Sequence, residues 1–336
     1  MTDTMSAVVH DRYGDAEVLR IALLPRPIPG EHDVLIRVHA ASLNPADKFL
    51  MLGSPWVLRL SSGLTRPRRP VRGLDVAGVI EAVGARVSRW RVGDEVFGEA
   101  TGSLAQFACA KEDHLARVPS GYPLTRAAAV PLAGLAALHG LRTARLAPGH
   151  RLLVNGAAGG IGTCAVQIAK ARGAHVTGVC STRNVATVRA LGADRVIDYT
   201  VEDFTTGNDR YDVIFDNVGN HPATALQRVT VDGGTVLLNS GEKGPDGRPI
   251  TRIVKSQWHQ LTGRRRFPIF ISSPNPQDLA ELAGMLADGT LAPVIDTTFP
   301  LDHAADAMAR LATRHACGKV VVTVRPQDAV PEQNPF

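Results

Sequence analysis

The chain has 336 residues, 44% apolar and 21% charged, with 32 glycines, 5% aromatic residues and a formal charge of +5. This length fits about two domains, each able to bury a core without staples. The apolar fraction excludes a disordered chain, and no internal repeat supports a fibrous one.

Four cysteines, Cys109, Cys164, Cys180 and Cys317, are scattered without a C-x-x-C pair. That spacing excludes a structural zinc lobe and argues against a disulfide framework, and such thiols fit a reducing, cytoplasmic setting. The longest apolar stretch, Ala127 to Leu141, contains Pro131 and is too short to span a bilayer. The N-terminus lacks a secretory pattern. The positive charge comes without a nucleic-acid-binding signature, so no nucleic acid is expected as a partner.

In chain order, residues 1–122 read as β structure. Val34 to His39 mixes apolar and basic residues as a half-buried strand does; Val76 to Val83 and Asp94 to Gly98 are further short strands between Gly-containing turns. Strands of this spacing predict a small barrel. From 123 to 274 the pattern alternates. Strand Arg151 to Asn155 is followed by helix Gly160 to Arg172, strand Ala174 to Cys180 and helix Val185 to Leu191. Strands Arg195 to Ile197, Tyr211 to Asp216 and Gly234 to Asn239 complete the set, with Phe267 to Ile271 as a candidate sixth. Alternation of this kind predicts an α/β fold with a Rossmann-like, doubly wound parallel sheet. Residues 275–336 read helix, extended, helix, strand (Lys319 to Val324), and are expected to return to the first domain.

The sharpest motif is Asn155-Gly156-Ala157-Ala158-Gly159-Gly160-Ile161-Gly162. It is a G-x-G-x-x-G fingerprint with Ala157 in the first place, Gly159 in the second and Gly162 in the third. Strand before, helix after and strand again make it a dinucleotide site, where backbone N–H groups at the helix start meet a pyrophosphate. Such sites for NAD place an acid ~20 residues further on. Here that stretch is Val179-Cys180-Ser181-Thr182-Arg183-Asn184, with hydroxyls and a guanidinium and no acid. Between His114 and Ala193 nine Lys and Arg stand against no Asp or Glu. Both facts point to the 2′-phosphate of NADPH. None of Tyr13, Tyr122, Tyr199 and Tyr211 has Lys four residues later, which excludes the short-chain reductases.

The whole chain resembles the medium-chain dehydrogenase/reductase superfamily, in its zinc-independent quinone oxidoreductase branch. The pieces are Ala40-Ala41-Ser42-Leu43-Asn44-Pro45-Ala46-Asp47, Gly73-Leu74-Asp75-Val76-Ala77-Gly78, Gly93-Asp94-Glu95-Val96, Val130-Pro131-Leu132-Ala133-Gly134, the fingerprint, Leu191-Gly192-Ala193-Asp194, Asp216-Asn217-Val218-Gly219 and Gly318-Lys319-Val320-Val321. The stretch Asn155 to Thr200 is also similar to the subgroup of the reticulon-4-interacting reductase. The resemblance implies a GroES-like β-barrel domain made of 1–122 and 275–336, a Rossmann domain of 123–274, and a homodimer. It further implies that Ala157, Gly159, Gly160, Ile161, Gly162, Ser181, Arg183, Tyr199, Asn217, Val218 and Ser240 face the cofactor.

Zinc alcohol dehydrogenases carry Cys where this chain has Asn44 and His where it has Leu74, so no metal is expected. Without that Lewis acid, an ordinary alcohol is a poor substrate. A quinone or α,β-unsaturated carbonyl needs only hydrogen-bond donors for the oxygen that gains charge. Asn44 is the candidate donor, Asp47 orients its loop or relays a proton, and Lys48 is a further proton-donor candidate. Two plainer roles stay open: an Asx turn for Asn44 with Pro45, and a helix cap for Asp47. A non-catalytic NADPH-binding protein, crystallin-like, RNA-binding or redox-sensing, is the alternative to a reductase. The stretch Gly241 to Pro276, with Arg264-Arg265-Arg266, shows no recognisable pattern beyond a solvated basic loop.

Overall fold

The computed structural model describes residues 4–239 and 265–325. They fall into two compact units. One holds 4–135, 273–289 and 293–325; the other holds 136–239, 265–272 and 290–292.

The first unit opens with an antiparallel hairpin of β1 (Thr4–Val9) and β2 (Arg20–Pro25). Then follow β3 (Asp33–Leu43), α1 (Pro45–Leu52), α2 (Arg59–Ser62), β4 (Asp75–Val83), β5 (Glu95–Glu99), β6 (Phe107–Lys111), β7 (Leu115–Arg117) and α3 (Leu124–Ala127). Next, α4 (Pro131–Thr143) leads into the second unit's β8 (Arg151–Asn155), α5 (Gly160–Ala171), β9 (His175–Cys180), α6 (Val185–Ala190), β10 (Arg195–Asp198), β11 (Tyr211–Asp216), α7 (Ala223–Arg228) and β12 (Thr230–Leu238). The chain then returns to the first unit with α8 (Pro276–Ala287), β13 (Ile295–Pro300), α9 (Ala304–Ala312) and β14 (Lys319–Thr323).

In the first unit, seven strands form one sheet in the order β13-β14-β3-β4-β5-β7, with β6 paired to β3. The long strand β3 organises it. Antiparallel β4 lies along one edge, while β6 takes residues 33–37 and β14 residues 40–43 on the other. Its apolar residues Val34, Ile36 and Val38 pack with Val76, Ile80, Val96 and Leu115 in one core. Ala41 and Leu43 join a second with Met51, Met308, Val320 and Val322. The C-terminal strand thus belongs to the first unit's core. That unit runs to residue 135, and the first turn of α4 is anchored in it. Leu132 N–H donates to the buried Asp75 carboxylate at 3.0 Å.

The second unit is a five-stranded parallel sheet ordered β10-β9-β8-β11-β12. Strand order reverses between β8 and β11, so a crevice opens at their carboxyl ends, where doubly wound sheets bind ligands. Helix α5 buries Cys164, Ala165, Ile168 and Ala169, and ends in a turn at Gly173 with φ +76°. The expected sixth strand, Phe267 to Ile271, does not form. A single bridge joins Thr235 to Arg266; Pro268 follows, and with no N–H it cannot extend a ladder. Phe267 instead fills the core with Tyr211 and Val236. Strand β12 begins at Thr230, four residues before the expected start, and its pairing shifts register opposite Tyr211 and Val213. Gly233, at φ +80°, provides the irregularity.

Candidate active site

The fingerprint forms a tight strand-to-helix turn. Gly156 has φ +80°, a conformation costly for any residue with a Cβ. A Cβ on Gly162 would stand 2.1 Å from Gly156 O and 2.8 Å from Ala157 Cα, so the helix packs on the turn only through glycine. Gly159 is different: a Cβ there would meet only Gly156 O, at 3.5 Å, leaving room above it for a ligand. Gly159 is the N-cap of α5, and Gly160 and Ile161 are partly exposed while Ala157 and Gly162 are buried. The first N–H groups of this 12-residue helix lie at the mouth of the crevice.

Neighbouring loops converge on it. Asn155 donates to Asp216 Oδ1 and to Asn220 Oδ1, both at 2.8 Å, tying β8 to β11. Asp216 Oδ1 also accepts the N–H groups of Val218 (3.1 Å) and Gly219 (2.9 Å). Asn217 accepts from Asn239 at 2.8 Å, while its own amide nitrogen is buried with no partner. A buried orphan donor at the carboxyl end of β11 fits an oxygen-bearing ligand such as a dinucleotide. Ser181 and Tyr199 follow the ends of the paired strands β9 and β10, and Arg183 lies in the short helical turn after Ser181. Tyr199 N–H donates to Cys180 O at 3.0 Å, Asn184 donates to Ser181 Oγ at 3.3 Å, and the Tyr199 ring is 55% exposed. One acid not anticipated from the sequence stands here. Asp198 pairs with Cys180 across β10 and β9, but it accepts the N–H and hydroxyl of Thr200 (3.0 and 2.7 Å). The Thr182 hydroxyl first, and those Thr200 bonds with it, hold its carboxyl below the usual range. Ser240 lies outside the described residues.

In the first unit two of the three candidate catalytic residues, Asn44 and Asp47, belong to a buried polar row whose core is assembled by strand register. Ser42 pairs with Asp75 across β3 and β4, Asp75 with Glu99 across β4 and β5, and Leu43 with Val320 across β3 and β14. Asn44 and Lys319 therefore meet one step further along. Asp75 is fully buried and Lys319 is 5% exposed. Asp75 Oδ2 accepts from Ser42 Oγ (2.8 Å), Asn44 Nδ2 (2.9 Å) and Lys319 Nζ (2.9 Å). Lys319 also donates to Asn44 Oδ1. One amide proton of Asn44 is thus held by Asp75, and the other has only a long 3.5 Å contact with Ser42 O.

Asn44, not Asp47, is the N-cap residue of α1, with Pro45 in the first turn. Asp47 sits three residues in, where Oδ2 accepts Asn44 N–H (2.9 Å) and Oδ1 accepts Gly73 N–H (3.2 Å). Burial pushes its carboxyl up to about 6, opposed by the Asn44 hydrogen bond and the Lys319 and Arg72 charges. Asp47 therefore holds the Asn44 loop in place. Lys48 is half-buried on α1 and takes no part in the row. Glu99, half-buried at the end of β5, has its carboxyl raised to about 7 by burial and by the charges of Asp75 and Asp47, against Lys319.

Asp75, Lys319 and Glu99 were not identified as site residues from the sequence. The available signal was a charge at the edge of an apolar strand, in Asp75-Val-Ala-Gly-Val-Ile and Lys319-Val-Val-Val. It became meaningful only once the register was known.

Comparison with known proteins bears on this arrangement. Residues 30–120 match the alcohol dehydrogenase GroES-like domain and residues 191–322 the zinc-binding dehydrogenase family. The chain is 34% identical to the chloroplastic NADPH-dependent alkenal/one oxidoreductase of Arabidopsis thaliana, over 95% of this chain and 79% of that protein. It is 34% identical to the mitochondrial NAD(P)H oxidoreductase RTN4IP1 of Mus musculus, over 95% and 89%. A solved quinone oxidoreductase from Coxiella burnetii is 30% identical, with a TM-score of 0.84 covering 96% of this chain and 100% of that one. The zinc in one family name does not fit the donors present. Leu74 has no ligand atom, and among the described residues no three His, Cys, Asp or Glu could hold a metal ion. From its first strand to its last, the chain belongs to the medium-chain dehydrogenase/reductase superfamily, in its zinc-independent quinone oxidoreductase branch.

Proposed function

We propose that this chain reduces a quinone or an α,β-unsaturated carbonyl with NADPH. The observation that carries the reading is the Asn44–Asp75–Lys319 cluster. An amide and an ammonium are both hydrogen-bonded to one carboxylate, and the amide is that of Asn44, where the resemblance puts a zinc-ligating Cys in the alcohol dehydrogenases. Hydrogen-bond donors are sufficient for a substrate whose conjugation spreads the incoming charge onto oxygen. The names of the Arabidopsis and Coxiella relatives support the same substrate classes.

NADPH supplies a hydride when bound. The chain's own residues hold and orient it: the N–H groups of Gly160, Ile161 and Gly162 at the pyrophosphate, Ser181 and Arg183 at the 2′-phosphate, Tyr199 beside the adenosine, Asn217 and Val218 at the crevice mouth. Ser240 is assigned the same role by resemblance. Asn44 donates its less engaged amide proton to the substrate oxygen, and Asp47 fixes the Asn44 loop.

A homodimer is proposed as well. Ile269 and Ile271, 58% and 83% exposed, follow Arg266, which bridges to Thr235 of the edge strand β12. A cytoplasmic compartment fits four cysteines that remain thiols. No helix among the described residues is long and apolar enough to cross a membrane.

The test is NADPH consumption against a panel of simple quinones and enones, on the native protein and on Asn44→Ala. Turnover of either class is expected, with kcat on enones falling on the order of 10²–10³ in the variant and by more than KM rises. Quinones, whose reduced products are aromatic, should lose less. NADPH binding without turnover of any panel member would leave a binding protein in place of a reductase.

A further inference from the structure

The polar row contains three carboxyl groups, and two are fully committed. Asp75 accepts four hydrogen bonds, from Ser42, Asn44, Lys319 and Leu132. Asp47 accepts two backbone N–H groups. Glu99 differs: it makes no hydrogen bond among the described residues, stands directly opposite Asp75 across β4 and β5, and is half-buried where the others are buried. Side chains directly opposite on antiparallel strands share a face, so its carboxyl borders the cluster on one side and water on the other.

The reduction proposed above needs a proton as well as a hydride; Asp75 is held by four donors, and each Asp47 oxygen already accepts a backbone N–H that fixes the Asn44 and Gly73 loops. We propose that Glu99 is the proton donor of this reduction, placed beside the Asn44 cluster by the register of β4 and β5. This inference rests on the reductase reading.

The step balances. The hydride forms a C–H bond at the β-carbon, and the C=C electron pair moves to the carbonyl oxygen. The Glu99 O–H bond breaks and its proton goes to that oxygen, giving an enol that converts to the saturated ketone. The Glu99 carboxylate then takes a proton from water on its exposed side. The net reaction consumes one NADPH and one proton per enone.

The surroundings suit a donor that works near neutrality. Asp75 on β4 and Asp47 on α1 disfavour the Glu99 anion, and Lys319 on β14 favours it. Beyond β5, the chain before β7 carries His114, whose Nε2 lies 3.7 Å from Asp113. The balance leaves Glu99 titrating at about 7, close to the ideal for a general acid.

Glu99→Gln tests the assignment by two routes. Without cofactor, the native protein should show an infrared carboxyl band that disappears as pH rises through about 7 and is absent from the variant. The variant's thermal midpoint should exceed that of the native protein at pH 8 and approach it at pH 5. The sign follows from linkage. The raised folded-state pKa favours the protonated fold, so the carboxyl costs stability once pH passes through the folded value, and Gln removes that cost.

With NADPH, native enone kcat/KM should fall as pH rises through about 7. The variant should lose that limb and at least tenfold in kcat, with NADPH affinity unchanged and a smaller loss on quinones. Glu99→Asp should recover part of the rate and restore a pH limb. A native profile flat across this range, or a variant with native enone rate and pH dependence, overturns the role of Glu99 while leaving the reductase reading intact. No turnover of either substrate class by the native protein overturns the reductase reading itself.

Discussion

The crevice of the second unit and the polar row of the first are built in opposite ways. The crevice is made by neighbours in sequence: Asn155 to Gly162 form one turn, and its requirements are steric and local. The row is made by residues far apart in sequence. Asn44 and Lys319 are separated by 275 positions and Asp75 and Lys319 by 244, and they meet only because two strand pairings, β3 with β4 and β3 with β14, are in register. The first design tolerates no added atom at one glycine. The second tolerates no unmatched charge.

The sharpest way to break that contrast is to unmatch the charge. Lys319→Met leaves Asp75 buried without its ion partner, which should cost about 3–5 kcal/mol of stability. Adding Asp75→Asn should recover part of the loss. Paired thermal or denaturant unfolding of the two variants checks this, and an unchanged midpoint in Lys319→Met would show that the row does not depend on charge matching.

Two glycine substitutions test the steric side and should separate folding from binding. In Gly162→Ala the added Cβ meets backbone at 2.1 Å, so NADPH affinity should fall about 100-fold together with the thermal midpoint. In Gly159→Ala the Cβ has room within the protein and φ is −78°. Stability should hold while NADPH affinity falls about tenfold, because the methyl occupies ligand space. Cofactor fluorescence titration and thermal melts on both variants decide it; equal effects would mean that the two glycines do the same job.

The smallest expected effect sharpens the crevice alone. A charge-assisted contact is worth about 1.5–3 kcal/mol, so Arg183→Ala should remove most of a tenfold or greater preference for NADPH over NADH, with NADH affinity nearly unchanged. Equal affinity for the two cofactors in the native protein would remove the 2′-phosphate assignment.

The same contrast explains what was legible in the sequence. The five parallel strands and the strand-turn-helix of the fingerprint could be read because each signal lies within a few residues. The failures were also local in origin. Pro268 ends what Phe267 to Ile271 would otherwise continue, and Gly233 breaks the regularity of β12. The helix cap offered for Asp47 falls three residues earlier, at Asn44, although Asn44-Pro45-Ala46-Asp47 carries a capping pattern, with the Asp47 carboxylate accepting Asn44 N–H. The partnership of Asp75 with Lys319, and the placement of Glu99, could not be read at all. A charge at a strand edge has the same appearance in sequence whether it faces water or an opposite charge two strands away.

The late arrival of β14 has a consequence for how the protein comes into being. A ribosome adds about 5–20 residues per second, so Asp75 emerges on the order of ten seconds or more before the lysine that neutralises it, 244 positions later. During that interval the nascent first unit lacks both its charge partner and the apolar residues Val320 and Val322 of one core. The parallel sheet from β8 to β12 is meanwhile already out of the tunnel. On the ribosome, therefore, the parallel-sheet unit has the means to finish first, and the unit that carries Asn44 and Asp75 waits for its last strand.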